Sequence, residues 1–497
     1  MAGLLCCYNP ERVVSLSIQS AANRVQRNIV TDTTWLPDLA ARSGPKYLAL
    51  VRALRDAVRA GELAVGAQLP TVRDLAWRLG VTPGTVARAY QIATQEGLLE
   101  AAVGRGTFVA AQRRRLGPTE PLYSLPRTDP EAIGVVDLRS PQLPDVGQAA
   151  ALARAMAAAA QDIGWQYLEY PGLRRDHYCR QAALEWFSCC RLGPVSADDL
   201  VLTHGGQNGI NIVLQCCLRG DRPVVLAEEL AYPGFRHAAR LNRAEVVPIA
   251  LDHEGLVPEA LDAACRRHPA QLVCVTTEAQ NPTAVRMSEA RRRAIVEVAR
   301  IHDLQILEDD CYTAPSSGLP LLRELAPERV WHVSSLSKTI SAGMRFGVVV
   351  CPAGMGEAGR LAAQHSYFGL ARPVTDIITR LLTSGEAMAL RQTAQDVMAR
   401  RLDIALAALS GQDVSWLPGL SFLWLRLPLG WRASTFARMA EAEGVLLRSS
   451  DEYVLVDGHA PNAVRIAMAG GVQEQVFAGA MARLARLLDN PPGDLPV

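Results

Sequence analysis

The sequence predicts an α/β fold with a mostly parallel sheet, preceded by a small helical module that ends in a β-hairpin. Three observations carry that expectation. From about Val135 onward, short apolar runs ("RPVVLAEE", "QLVCVTT", "LQILEDD", "RVWHVSS") alternate with amphipathic stretches such as "MSEARRRAIVEVARIH", the pattern of strands buried between helices. Between Gly44 and Ala110, three helix-period segments lead into "LLEAAVGRGTFVAA", two short strands around Gly104-Arg105-Gly106. The charge is also split: residues 44–115 hold eleven basic and five acidic side chains, whereas residues 116–497 hold 36 basic and 42 acidic. A basic module joined to a larger acidic one is the charge pattern of a polyanion reader attached to a second function.

The chain as a whole sets limits. Its 497 residues suffice for two or three domains, and 49% hydrophobic with 20% charged residues is an ordinary globular composition. No apolar run has the length of a membrane span, and "MAGLLCCYNPER" lacks the basic start of a signal peptide, so the cytoplasm is the expected compartment. The eleven cysteines include adjacent pairs but no C-x-x-C and no Cys/His cluster with metal spacing, and read as reduced thiols with no metal site. The expected division is an extension over 1–43, the basic module over 44–112, a Pro- and charge-rich linker over 113–134 and the α/β domain over 135–497. The linker spans at most ~75 Å when fully extended.

In the basic module, Tyr47, Leu50, Val51, Leu54 and Val58 mark the apolar face of a first helix. Thr71 is placed to cap a second, with Asp74 three residues on and Gly80 closing it. Thr82 suits the cap of a third, with Pro83 at its first position and Gly97 at its end. Two helices joined by a tight turn and followed by a hairpin form a winged helix-turn-helix, which sets its third helix into the major groove of double-stranded DNA. Thr85 and Arg88 are then the candidates to read bases, Arg73 to meet phosphate, and Arg105 at the wing tip to reach backbone or minor groove. The stretch from Gly61 to Val109 resembles the DNA-binding domain of GntR-family regulators, in its G-x-x-x-x-G-x-x-LP-T-x-R-x-LA, TV-x-x-AY and G-x-GTFV elements. It departs at Thr82-Pro83, where that family commonly carries a basic pair, so no operator sequence is carried over.

In the α/β domain the polar residues that stand out fall at strand ends, where ligands of such sheets collect. Gly205, Gly206 and Gln207 follow "LVLT" and open a helix whose free N–H groups suit a phosphate, with Arg345 placed to close on it. Asn281 follows one strand, Asp309 and Tyr312 another, Ser335 and Lys338 a third. Lys338 and Lys46 are the only lysines among 51 basic residues. A primary amine condenses with an aldehyde and a guanidinium does not, which explains why this position is not arginine. One ligand accounts for the set: pyridoxal 5′-phosphate. Its aldehyde needs Lys338, its ring nitrogen a carboxylate (Asp309), its ring oxygen donors (Asn281, Tyr312) and its ring face an aromatic partner (Tyr232).

These motifs resemble fold-type I aminotransferases, class I/II, a large domain of the PLP-dependent transferase type. The resemblance implies that Arg465 binds a substrate or effector carboxylate. It also implies that Tyr167 reaches the cofactor phosphate of a partner subunit, hence a head-to-tail homodimer. Ala284, Asp176-His177 and Ala389 depart from that family's pattern. A GntR-type reader in front of such a domain is similar to the MocR/GabR-type transcription regulators. That resemblance implies a DNA-binding regulator in which a small amine or amino acid displaces Lys338 as an external aldimine and alters operator binding. Two alternatives stay open at this point: a working aminotransferase, and a regulator that senses the cofactor itself.

Overall fold

The structure, a computed structural model, describes residues 35–39, 45–95, 98–102, 106–110, 134–172, 176–312, 316–455 and 460–491. The chain forms two compact units divided between Leu116 and Gly117.

In the first unit, α1 (Lys46–Ala60) buries Leu50, Val51 and Leu54 completely, and Gly61 ends it in the left-handed region at φ 77°. Helix α2 (Val72–Leu79) begins where the Asp74 N–H donates to Thr71 Oγ1 at 3.2 Å, and stops at Gly80, φ 61°. Helix α3 (Pro83–Gln95) begins where the Thr85 N–H donates to Thr82 Oγ1 at 3.3 Å. Leu75, Ala76, Val86 and Ala89 fill the space between these helices, and the Tyr90 hydroxyl donates to Pro70 O at 2.9 Å, tying α3 to the start of α2.

Strands β1 (Leu99–Ala102) and β2 (Gly106–Val109) pair antiparallel, with Leu99 opposite Val109. The Val109 N–H donates to Ala67 O and the Leu69 N–H to Thr107 O, both at 2.8 Å, so the hairpin is stitched to the segment before α2. This is the winged helix-turn-helix that the sequence predicts. Trp35 and Leu39, from the stretch set apart as an extension, pack against its core. Gly97, expected to end α3, lies outside the described residues.

The second unit is organised by a seven-stranded sheet of β3 (Leu200–Thr203), β4 (Val224–Glu228), β5 (Glu245–Ile249), β6 (Ala270–Val275), β7 (Gln305–Asp309), β8 (Val330–Ser335) and β9 (Gly347–Val350). Its order is β3-β9-β8-β7-β6-β4-β5. Only β9 runs against its neighbours. The reason is chain length: residues 336–346 are too few for the crossover of about a dozen residues or more that a parallel return needs. That short return carries Lys338.

Helices cover both faces. Gly206–Cys217, Pro233–Leu241 and Gly356–Tyr367 pack against Leu307, Trp331 and Val333, while Pro258–Arg267 and Glu289–Ile301 pack against Ile306 and Val330.

The sequence reading had no counterpart for a second sheet near the C-terminus, formed by β10 (Asp413–Ser415), β11 (Phe422–Arg426), β12 (Arg448–Ser449) and β13 (Ala463–Ala467). Its order is β10-β11-β13-β12 and every pair is antiparallel. One face packs Leu423, Leu425, Val464 and Ile466 against the helices Glu386–Ala408 and Glu474–Asp489. Strand alternation turns Arg465 to the other face. Among the described residues, no helix is long and apolar enough to cross a membrane.

Burial of one charge shows what holds the second unit. Arg292, fully buried on the helix Glu289–Ile301, donates to Glu278 Oε1 at 2.7 Å, Pro320 O at 2.9 Å and Met287 O at 3.1 Å. Breaking such a pair strands the remaining charge. The expected outcome for Arg292→Met is a loss of about 3 kcal/mol from the stability of this unit, read as a lower denaturation midpoint with unchanged far-ultraviolet circular dichroism.

Candidate functional site

The site is built at the carboxyl ends of β3, β6, β7 and β8. After β3 the chain turns at Gly205 (φ 79°, ψ 172°), a backbone state essentially reserved for glycine, and enters the helix Gly206–Cys217. A Cβ at Gly205 would lie 2.6 Å from Arg345 Nη2, and one at Gly206 would run into Cys311 Sγ. Arg345 donates to His204 O at 3.2 Å and to Ser337 Oγ at 3.4 Å. Ser335 Oγ accepts the Ser337 N–H at 3.1 Å. A guanidinium, two hydroxyls and a helix N-terminus thus face one another across glycine backbone. Gln207 takes a different part: its Nε2 donates to Gly234 O at 2.9 Å, which braces the turn that carries Tyr232.

At the other end of the site, Asp309 closes β7 and accepts the Cys311 N–H at 3.1 Å. Burial lifts its pKa above the ordinary aspartate value, with hydrogen bonding to Cys311 and the charge of His332 working the other way. Tyr232 precedes the helix Pro233–Leu241, and its burial pushes the phenol pKa up.

Lys338 ends the turn Leu336–Lys338, its Nζ 5.7 Å from the centre of the Tyr312 ring. Arg465 reaches in from β13: its Nη1 donates to Asn281 Oδ1 at 2.7 Å and to the Tyr312 hydroxyl oxygen at 3.0 Å, and its Nη2 to Arg139 O at 2.8 Å. Burial opposes ionisation of Tyr312, but Arg465 and Lys338 outweigh it and hold the phenol below the ordinary tyrosine value. Phe422 and Tyr453 flank the guanidinium, each ring centre 5.1 Å away.

The donor set fits pyridoxal 5′-phosphate. The glycine turn, Arg345 and the serine hydroxyls match a phosphate, and Asp309 matches a ring nitrogen. Among the described residues, Asn281 Nδ2 is a buried donor with no partner, as a ring oxygen beside Lys338 requires, and Arg465 Nε is a second. Ala284 stands where the aminotransferase motif has glycine, and it adopts φ 58°, the left-handed state that costs an alanine about 1–2 kcal/mol.

Tyr167 is not brought to this cradle within one chain. It lies on the turn Trp165–Leu168, where its hydroxyl donates to Asp376 Oδ2 at 2.7 Å. In the first unit, Arg73 is exposed at the start of α2. The Thr85 hydroxyl sits 3.0 Å from that of Thr82. Arg88 is exposed, and its guanidinium rests 4.5 Å from the centre of the Tyr47 ring on α1. Arg105 lies outside the described residues. Sequence reasoning missed Cys311, Ser337, Arg139, Phe422 and Tyr453. Cys311 and Ser337 stand beside Asp309 and Lys338 in the chain without being singled out by residue type, whereas Arg139, Phe422 and Tyr453 enter the site only through folding.

Fold and pocket define a pyridoxal-phosphate-binding domain behind a DNA-reading module. Residues 133–482 match the family described as aminotransferase class I and II, and residues 46–109 match the bacterial regulatory proteins of the gntR family. The chain belongs to the class I and II aminotransferase family, whose cofactor is pyridoxal 5′-phosphate, and carries a gntR-family DNA-binding domain in front of it.

It is 26% identical over 466 residues to the uncharacterized HTH-type transcriptional regulator YdeF of Bacillus subtilis, covering 92% of this chain and 97% of that one. It is 29% identical over 473 residues to the HTH-type transcriptional regulator TauR of Rhodobacter capsulatus, covering 87% and 94%. It is also 29% identical over 366 residues to the HTH-type pyridoxine biosynthesis transcriptional regulator PdxR of Corynebacterium glutamicum, covering 70% and 74%. In fold it is similar to an archaeal alanine:glyoxylate aminotransferase, with a TM-score of 0.65 at 21% identity over 72% of this chain and 91% of that one.

The glycine turn yields a direct test. Gly205→Ala places a methyl against Arg345 and forces alanine into a glycine-only conformation. The expected outcome is cofactor affinity weakened at least about tenfold, roughly the 1–3 kcal/mol of one strained backbone position, measured by titrating the apo-protein with pyridoxal 5′-phosphate.

Proposed function

We propose that this protein is a transcription regulator of the MocR/GabR type that reads a DNA operator with residues 44–112 and senses an amino compound with residues 135–497, the two joined by the linker 113–134. The observation that carries this reading is the coexistence, in one chain, of a gntR-family DNA-binding domain and a class I and II aminotransferase domain, in which the guanidinium of Arg465 lies against Asn281 and Tyr312. Full-length relatives named as HTH-type transcriptional regulators support it.

In this reading Lys338 holds the cofactor covalently. Gly205, Gly206, the Gln207 backbone, Arg345 and Ser335 hold its phosphate, Tyr232 stacks on its ring, and Asp309 keeps the ring nitrogen protonated. Asn281 and Tyr312 bind the ring oxygen. When bound, the cofactor supplies an aldehyde that exchanges one amine for another. Arg465 then selects amines that carry an acidic group, because its Nε has no partner among the described residues. A ligand that also draws on Nη1 competes with Asn281 and Tyr312 for it, so its arrival re-sorts those contacts. That differential contact is what couples the pocket to a distant equilibrium.

The working unit is a homodimer in the cytoplasm, with Tyr167 offered to the partner subunit and two DNA-binding heads meeting paired half-sites. Arg73 meets phosphate, Thr85 and Arg88 meet bases, and Arg105 the backbone or minor groove.

A second reading, a working aminotransferase, is favoured by the joint presence of Lys338, Asp309, Tyr312 and Arg465. A third, sensing of the cofactor itself, draws on the name of the relative PdxR. One experiment separates them: the near-visible absorption of the lysine-bound cofactor is followed while amino acids and a 2-oxo acid are added, with operator binding measured in parallel. A spectral change that holds and shifts operator affinity supports the amine sensor. Sustained 2-oxo acid production supports the enzyme. Operator affinity that responds to cofactor removal and to no amine supports the third.

Lys338→Ala is expected to abolish the near-visible band while circular dichroism stays unchanged; a retained band refutes the assignment of Lys338. Arg88→Ala is expected to lower operator affinity about 10- to 100-fold, the value of one base-reading side chain, with binding to random DNA little changed in a gel-shift titration.

A further inference from the structure

Strand β7 ends in Glu308 and Asp309, with Asp310 directly after it; alternation sends Glu308 to the face opposite Asp309, and Asp310 approaches the same histidine that Glu308 meets. On that far face, His332 of β8 stands opposite Glu308 in the parallel register. Glu308 and His332 are fully buried, and Asp310 is nearly so. Glu308 is saturated with donors: the Thr277 hydroxyl at 2.7 Å, the Leu322 N–H at 3.0 Å, the Arg323 N–H at 3.4 Å and His332 Nδ1 at 3.2 Å. A carboxylate so surrounded is held ionised, and an ionised carboxylate against one imidazole nitrogen favours the doubly protonated ring.

The other ring nitrogen, Nε2, lies 3.9 Å from Asp310 Oδ2, has no hydrogen-bond partner among the described residues and is sealed from solvent. Asp310 also lines a cavity of about 10 Å³ with Cys190, Glu278 and Ser316, room for one water molecule.

We propose that His332 is a buried imidazolium clamped between Glu308 and Asp310, and that this fixed positive charge behind the sheet is a positioning device for Asp309, holding it ionised toward the ring nitrogen of the cofactor. Among the described residues, the charged groups acting on His332 are Glu308 and Asp309 on β7 and Asp310 just after it. Asp310 in turn faces Cys190, Glu278 and Arg391 from the elements packed against it.

The balance of these groups supports the charge. Burial alone would discharge His332, but the hydrogen bond to Glu308 and the three carboxylates outweigh it and raise its pKa above the ordinary value. Burial similarly opposes ionisation of Glu308, yet its partners hold it below the ordinary value. Burial pushes Asp310 up to about 7 against the charge of His332, with no hydrogen bond to its carboxylate among the described residues. With the anion settled on Glu308, the proton settles on His332.

The inference rests on the cofactor reading, and its test separates the two. Removing a buried positive charge raises the proton affinity of every nearby group. In the full-length holo-protein, His332→Asn and His332→Gln, which can keep a donor toward Glu308 without the charge, are expected to move the pH midpoint of the near-visible cofactor band upward by about one unit, a tenfold change in proton affinity. Salt should leave that shift unchanged, because the pair is buried. A midpoint unmoved in folded variants overturns the proposal.

A measurement that needs no variant runs beside it: C2-hydrogen exchange of each histidine, read peptide by peptide in the wild-type protein with and without cofactor. His332 is expected to be charged at pH 7, with its midpoint above the ordinary ~6.5; a neutral His332 overturns the proposal. A charged His332 in a protein that takes up no pyridoxal 5′-phosphate sinks the cofactor reading instead, and the role proposed for Asp309 with it.

Discussion

The contact on which the second unit's site depends is the hydrogen bonding of Arg465. A guanidinium removed from water is costly unless its protons are met by good acceptors. Arg465 meets them with Asn281, Tyr312 and the Arg139 carbonyl, and presses its plane between Phe422 and Tyr453. Those partners come from strand ends of the parallel sheet, from the segment that enters the unit and from the C-terminal antiparallel sheet. A charge that is tolerated in only one geometry therefore fixes how the two sheets face each other, and the pocket is the gap it spans.

The opposite end of the site is governed by exclusion instead of attraction. Gly205, Gly206 and Gly347 leave no room for a methyl, and Arg345, Cys311 and neighbouring backbone occupy the space that side chains would take. Removing side chains brings backbone N–H groups, a guanidinium and hydroxyls within reach of one small anion. Close-packed backbone thus lies at the Gly205 end of the site and a side-chain hydrogen-bond network at the Arg465 end.

Much of this was legible in the sequence because the strands of the large sheet are buried on both faces and read as apolar runs, and because caps such as Thr71 and Thr82 sit next to the helices they start. The C-terminal sheet was not legible: Asp413–Ser415 and Arg448–Ser449 are too short to carry a periodic signal. The direction of β9 followed from the length of its connection, which a reading of runs alone does not weigh. Asp309, Lys338 and Arg465 stood out by residue type, but the Arg139 carbonyl that meets Arg465 lies 326 residues away in the chain. The clamp around His332 likewise joins positions 24 residues apart, with no local pattern. Arg88 was singled out by its place on α3, whereas its position over the Tyr47 ring depends on how α1 crosses that helix.

The short return between β8 and β9 has a mechanical meaning. Lys338 sits on a loop whose two ends are hydrogen-bonded into the sheet interior, so the segment is anchored like a bridge between two piers. Freeing the lysine side chain leaves both piers in place and gives the surrounding backbone almost no freedom to travel. The C-terminal sheet behind Arg465 is joined to the parallel sheet's loops differently, by the Ala231 N–H donating to Tyr453 O at 2.9 Å, the Leu455 N–H donating to Glu229 O at 3.0 Å and the guanidinium of Arg465. The lysine rides on the sheet's own ladder, whereas the arginine reaches the same pocket from a neighbouring sheet.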